Sequence, residues 1–277
     1  MPYLNQIYIY PIKSLTGIPV QQWEVTKTGL KYDRQWMLID AQQQFLSQRR
    51  LAKMALIKTQ LIDEKIIISA PGQSSLSIPL SPLAYQDSAP INVTIWHDHC
   101  HAKQVNKETD QWFSEFLGQA CQLVYQPENS IRTVDQHYAQ TTDQTSFSDG
   151  FPFLIVSEAS LALLNQQMGL TLGIERFRPN LVIAGCTSYA EDTWRTISIG
   201  DIRFRLPKPC SRCPIPQIDP ETAIMGKEPL RTLARFRKWQ NKVFFGQNAL
   251  HDNVGNLQVR DSVAIQTTGT AQPPLTT

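Results

Sequence analysis

Cys210 and Cys213, three apart in the stretch PKPCSRCPIPQIDPET (207–222), are residues whose type and spacing invite chemistry. A thiolate is a soft metal ligand and a nucleophile. A Cys-x-x-Cys pair can therefore be half of a zinc site, a redox couple, or the anchor for another metal. A closed zinc site needs four ligands, and the sequence holds no second Cys-x-x-Cys. A thioredoxin-like pair sits near a helix start after a strand. Here Pro209, Pro214 and Pro216 crowd the motif and favour an extended or turning backbone. Arg212 adjoins Cys213 and is expected to draw that thiol toward thiolate.

A second cluster is WHDHCH, Trp96 to His101. In a strand, His97, His99 and His101 would share one face, with Asp98 and Cys100 on the other. Three imidazoles could hold zinc, and a solvated strand face is the plainer reading. A third signal is cations and polar residues at strand ends: Lys13-Ser14, Asp33-Arg34, Gln48-Arg49-Arg50 and Arg178-Pro179-Asn180. Each alone reads as an ordinary turn. Together they could cradle a phosphate, because guanidinium forks and loop amides suit its oxygens. Glycine-rich phosphate loops of the G-x-G-x-x-G or Walker type are absent, and so is the G-x-S-x-G of a serine hydrolase.

These residues need a scaffold, and 277 residues suffice for one large domain or two modest ones. Hydrophobic residues at 42% and charged residues at 18% describe a globular chain. A net charge of +2 gives no case for nucleic acid. No run approaches the ~20 apolar residues of a membrane span, and MPYLNQIYIYPIKSL lacks the pattern of a signal peptide. Five scattered cysteines make no disulfide framework, so a reducing cytoplasm is expected.

The first third is strand-like: IYIYPI, QQWEVT, QWMLID, MALIKTQLI, KIIISA, LSIPL and INVTIWHDHCHAKQV. A helix is predicted over about 107–117, capped by Asn106 and stopped by Gly118. The polar stretch at about 127–150 reads as a linker or surface loop. Beyond it, FPFLIV reads as a strand, and Ser157 caps a helix that Gly169 ends. NLVIAG, TISIGDIRFRL, PIPQID, VFFGQNAL and DSVAIQ read as strands, EPLRTLARFRK as a short helix, and the tail TTGTAQPPLTT as frayed.

The pieces occur in an order that resembles the MOSC-domain proteins with an N-terminal MOSC β-barrel region, the mitochondrial amidoxime-reducing component and its bacterial relatives among them. YPIKSLTG (10–17), YDRQWMLID (32–40), SDGFPFLIVSEASL (148–161) and RFRPNLVIAG (176–185) carry the resemblance. YAEDTW (189–194), IGDIRFR (199–205), KPCSRCPIPQIDPET (208–222), EPLRTL (228–233) and FGQN (245–248) complete it across nearly the whole chain.

The resemblance implies a mainly β protein with a few helices (α+β). A barrel-like region over 1–120, a connecting segment over 121–150 and a MOSC β-barrel over 151–277 would flank one cofactor cleft. It implies a molybdenum cofactor, a molybdopterin with molybdenum, whose metal takes Cys213 as a ligand while Cys210 is a neighbour. Lys13, Ser14, Arg34, Ser148, Asp149, Arg178, Asn180 and Arg212 match positions around the cofactor, with Asp149 as a hypothetical proton relay. The implied activity is reduction of amidoximes, hydroxylamines or N-hydroxylated bases to amines or amidines and water. Neither an appended iron–sulfur domain nor a membrane anchor is seen. Electrons would then come from a separate flavin, haem or iron–sulfur protein. A second expectation is a sulfur carrier or cofactor-handling protein with a persulfide on Cys213, since MOSC domains also occur joined to pyridoxal-phosphate sulfurases. The sequence departs from the family pattern at Pro214, Pro216, Gly150 and Phe151, all near the presumed metal.

Overall fold

A computed structural model describes residues 1–274, and these are mainly strand, with three α-helices among them. The largest sheet has nine strands. Eight lie in the spatial order Val263–Thr268, Trp194–Ile199, Ile202–Ser211, Lys242–His251, Phe153–Ser157, Leu181–Ala184, Tyr3–Ile9 and Ile18–Val20. The ninth, Lys238–Trp239, pairs with Lys242–His251. The sheet curls toward closure. Tyr3, near one edge, bridges Ser262 near the other, and the Leu4 N–H donates to the Asp261 carbonyl at 2.9 Å. Closure covers backbone groups that an open edge would leave unpaired. Inside lie Leu4, Ile7, Phe153, Ile155, Ile197 and Phe204, all buried.

Phe153–Ser157 and Leu181–Ala184 run parallel, which requires a crossover, and the helix Glu158–Met168 supplies it. Ser157 caps that helix by accepting from the Ser160 N–H at 3.1 Å, and Gly169 ends it in the left-handed region.

Elsewhere a four-stranded sheet (Trp36–Ile39, Gln122–Tyr125, Asp98–Gln104, Pro90–Ile95) and a three-stranded one (Lys58–Ile62, Lys65–Ser69, Leu76–Pro79) share a core with the helix Lys107–Leu117. Asn106 caps that helix through the Thr109 N–H and Gly118 closes it, as the sequence predicts. A further small sheet pairs Gly255–Gln258 with Gln22–Thr26, tying the two ends of the chain together. Among the described residues no helix is long and apolar enough to cross a membrane.

The structure revises several predicted elements. MALIKTQLI begins as a 3-10 turn, Ala52–Leu56, before its strand. PIPQID is no strand: Ile215–Gln217 forms a 3-10 turn, and Pro214 and Pro216 lack the N–H a ladder needs. The preceding strand instead runs through Pro207 and Pro209 to Ser211, absorbing them with register shifts against Lys242–His251. The stretch at 127–150 is no free linker, because Ser130, Arg132, Val134 and Thr145 to Ser148 are buried. The tail is held as far as it is described. The Gly269 N–H donates to Thr193, that of Gln272 donates to Asp192, and Pro273 is buried. Residues 275–277 of the predicted frayed tail lie outside the described residues.

Gly246 shows how tightly the main sheet packs beneath the cleft. Its φ is +80°, and an added Cβ would sit 2.7 Å from Val156 Cγ2 and 2.9 Å from the Ile155 carbonyl. Gly246→Ala is expected to cost about 2 kcal/mol, read as a lower urea midpoint with an unchanged m-value.

Candidate functional site

Separate strand ends converge on one cleft. The turn after Tyr3–Ile9 brings Lys13 and Ser14, and the segment before Trp36–Ile39 brings Arg34. The 3-10 turn Ile174–Phe177 leads into Arg178 and Asn180, and the end of Ile202–Ser211 delivers Arg212 and Cys213. The buried 127–150 segment ends in Ser148 and Asp149. All nine residues named from the sequence line this cleft, together with Arg49 and Cys210.

Its cationic wall is built around Tyr10, a ring 1% exposed. The guanidinium carbons of Arg34 and Arg178 each lie 4.3 Å from the ring centre. A cation over an aromatic face is attracted by the ring quadrupole. The Tyr10 hydroxyl donates to the Pro179 carbonyl at 3.0 Å, fixing the ring. Both arginines take positive φ, 50° and 57°. Buried Asp33 accepts from the Tyr10 N–H at 2.8 Å and pairs with Arg34. Asn180 also works for Arg34: its Oδ1 accepts from Arg34 Nη1 at 2.9 Å while its Nδ2 donates to the Tyr8 carbonyl. Asn180 is thus a brace behind the wall.

Asp149 joins two further cations. Its carboxylate accepts from Lys13 Nζ and from Arg49 Nη2, each at 2.6 Å. Burial alone would raise its pKa, but these two charges overcome burial and hold it far below the usual carboxylate range. The side chain is still 50% exposed, toward the open cleft. Such a group stays ionised at neutral pH, which does not suit the expected proton relay. Lys13 is buried and also donates to the Phe147 carbonyl at 2.7 Å. Burial lowers its pKa to about 8, against the pull of Asp149. The loop is clamped from behind by Arg132, whose Nη1 donates to the Ser146 and Ser148 carbonyls and whose Nε donates to Asp98. The Ser148 hydroxyl pairs with that of Thr145.

At the thiol end, the geometry departs from the sequence expectation. Arg212 serves Cys210, not Cys213: Nη1 lies 3.1 Å from Cys210 Sγ, and Nη2 donates to the Phe177 carbonyl at 2.7 Å. Burial pushes the Cys210 thiol up, with Arg212 opposing. The cation against Cys213 is Arg49. Cys213 is half-buried and lines the cleft beside Arg49 and Asp149.

The histidine cluster lies elsewhere. His97 sits in a hairpin turn, while His99 and His101 are exposed on the following strand. Among the described residues no group of three or more His, Cys, Asp or Glu side chains is arranged to hold a metal ion. Neither the zinc reading of Cys210 and Cys213 nor that of the three imidazoles finds a ligand set among the described residues. Sequence reasoning noted Arg49 only as one dispersed cation, and missed Tyr10 and Arg132. The signal for Tyr10 was its place in YPIKSLTG. Arg132 gave none, lying in a polar stretch.

Comparison with known proteins follows the same lines. The MOSC N-terminal beta barrel domain matches residues 1–120, and the MOSC domain matches 142–264. Mitochondrial amidoxime-reducing component 1 of Mus musculus is 34% identical over 275 residues, covering 93% of this chain and 80% of its own. The Homo sapiens protein of that name is 33% identical, covering 93% and 81%. Molybdenum cofactor sulfurase of Oryza sativa is 31% identical over 88% of this chain but only 32% of its own length. The chain therefore belongs to the family of MOSC-domain proteins that carry an N-terminal MOSC β-barrel domain.

Proposed function

We propose that the protein is a molybdenum-cofactor-dependent reductase of N-hydroxylated compounds that draws electrons from a separate redox protein. One observation carries the reading: five cations and a single carboxylate line a cleft that also holds the half-buried thiol of Cys213. This donor set fits a molybdopterin. A dianionic phosphate suits guanidinium forks and an ammonium, and a pterin edge offers donors and acceptors. The Arg212 Nε–H is buried without a partner, as a group awaiting an acceptor would be. Arg34, Arg178, Lys13 and Arg212 would hold the cofactor, and Cys213 would be its metal ligand. When bound, the group supplies two-electron oxygen-atom transfer. The family relationship to amidoxime-reducing components supports N-hydroxylated substrates.

The chain's own residues then divide the work. Arg49 stands beside Cys213 as the nearby cation. Asp149 sets the positions of Arg49 and Lys13 rather than moving protons. Asn180 and Tyr10 brace Arg34 and Arg178. A reducing compartment, the cytoplasm in our reading, belongs to this proposal and is supported by five free thiols. The sulfurase relatives favour a second reading, in which Cys213 carries a persulfide to a cofactor. Labile sulfur on Cys213 in protein lacking molybdenum, seen by intact mass, would select it.

The reading is tested by incubating the molybdenum-loaded protein with an amidoxime and a chemically reduced viologen. Amidine is expected to form, and Cys213→Ser is expected to form none. Loaded wild-type protein that yields no amidine contradicts the proposal. Asp149→Asn is expected to raise KM yet keep the shape of the pH profile between about pH 5.5 and 7.5, because the carboxylate is ionised throughout that range.

Lys13 gives a second test, on cofactor-free protein. Its charge is lost as pH rises through about 8. Pyrophosphate is expected to bind about tenfold more weakly at pH 9 than at pH 7 by calorimetry, on the scale of one charged hydrogen bond. Lys13→Met is expected to bind weakly at both values.

A further inference from the structure

The hairpin of Pro90–Ile95 and Asp98–Gln104 turns on two residues, Trp96 and His97. Trp96 has a φ of 58°. Two-residue hairpin turns fill such positions with glycine or asparagine, because a Cβ is strained there. The indole is also 46% exposed and belongs to none of the buried clusters. Neither the turn nor the core therefore accounts for a tryptophan. A strained backbone carrying an exposed aromatic ring is a pattern of functional positions.

Its surroundings point to the function. The Arg49 guanidinium lies 4.8 Å from the Trp96 ring centre, and Phe45 packs against the indole at 4.9 Å with an interplanar angle of 61°. The same Arg49 binds Asp149 and lies against Cys213. Lys13 Nζ is 5.2 Å from the Phe45 ring centre. Trp96 and Phe45 thus form an aromatic lip beside the part of the cleft that holds Cys213. An aromatic lip next to a cation favours a flat, conjugated molecule, whose face stacks while its polar end enters the cleft.

We infer that Trp96 is a specificity residue that stacks on the aromatic body of an aryl N-hydroxylated substrate while the N–OH group reaches toward Cys213. This rests on the reductase reading and adds a preference for aryl over alkyl compounds. An aliphatic amidoxime presents the same N–OH group but no ring to stack.

The test uses molybdenum-loaded wild type, Trp96→Gly and Trp96→Phe at matched metal content. Glycine suits the turn, so Trp96→Gly should fold, and a thermal melt checks this. Benzamidoxime and acetamidoxime are each titrated by ligand-observed NMR, and turnover with reduced viologen is measured on the same samples. Trp96→Gly is expected to weaken benzamidoxime about tenfold in both Kd and KM, the scale of one lost aromatic stack, and acetamidoxime by less than about twofold. Trp96→Phe is expected to recover most of the loss. Equal weakening of both compounds would mean that Trp96 acts only through Arg49 and would overturn the inference. So would no change for either. The selective loss in titration without turnover in any sample would keep the lip and sink the reductase. Turnover without selectivity would do the reverse.

Discussion

Bringing Lys13, Arg34, Arg49, Arg178 and Arg212 to one cleft sets like charges against one another where burial leaves little water to screen them. Two carboxylates and a ring make this arrangement tolerable. Asp33, itself buried, fixes Arg34 and the Tyr10 backbone together. Tyr10 then attracts both Arg34 and Arg178. Asp149 does the equivalent for Lys13 and Arg49. The net positive field that remains has a use only if an anion shares the cleft, because uncompensated buried charge is costly. The rest of the fold can be understood as the means of holding these charges in place. The nine-stranded sheet presents Arg178 and Cys213 from its strand ends. Ser146 and Ser148, held by Arg132, and Phe147, held by Lys13, fix the loop that carries Asp149.

Much of this was legible in the sequence where the signal is local. The helix at 107–117 announces itself through Asn106, its apolar face and Gly118, and the structure places all three as read. The strand ends carrying Lys13, Arg34 and Arg178 could be read as turns with cations. Only the order of motifs along the chain suggested that they meet. What could not be read depends on pairings across distance. Arg49 reaches Asp149, one hundred positions away, and no spacing rule encodes such a contact. Arg132 lies in a polar stretch that looked solvated, yet it is 5% exposed and satisfied by loop carbonyls and Asp98.

The error over Arg212 has a plain cause. Adjacency in sequence suggested that it would activate Cys213. In extended backbone, neighbours point to opposite sides and residues two apart share one. Arg212 therefore meets Cys210, leaving Cys213 to a cation from another part of the chain. Asp98 is a similar case. It read only as the face of the strand turned away from the three histidines, and it holds Arg132. Both cases exchange a local reading of chemistry for a tertiary one.

The central claim is that the cationic cleft and the Cys213 thiol together hold a molybdenum cofactor. The most direct test is molybdenum content by plasma mass spectrometry, with phosphate analysis. Wild type and Cys213→Ala would be purified from a host that makes the cofactor. The account predicts about one molybdenum per chain in wild type and loss of most of it in the variant, as removal of a metal ligand requires. Zinc in its place, or no molybdenum in wild-type protein from a competent host, would contradict it.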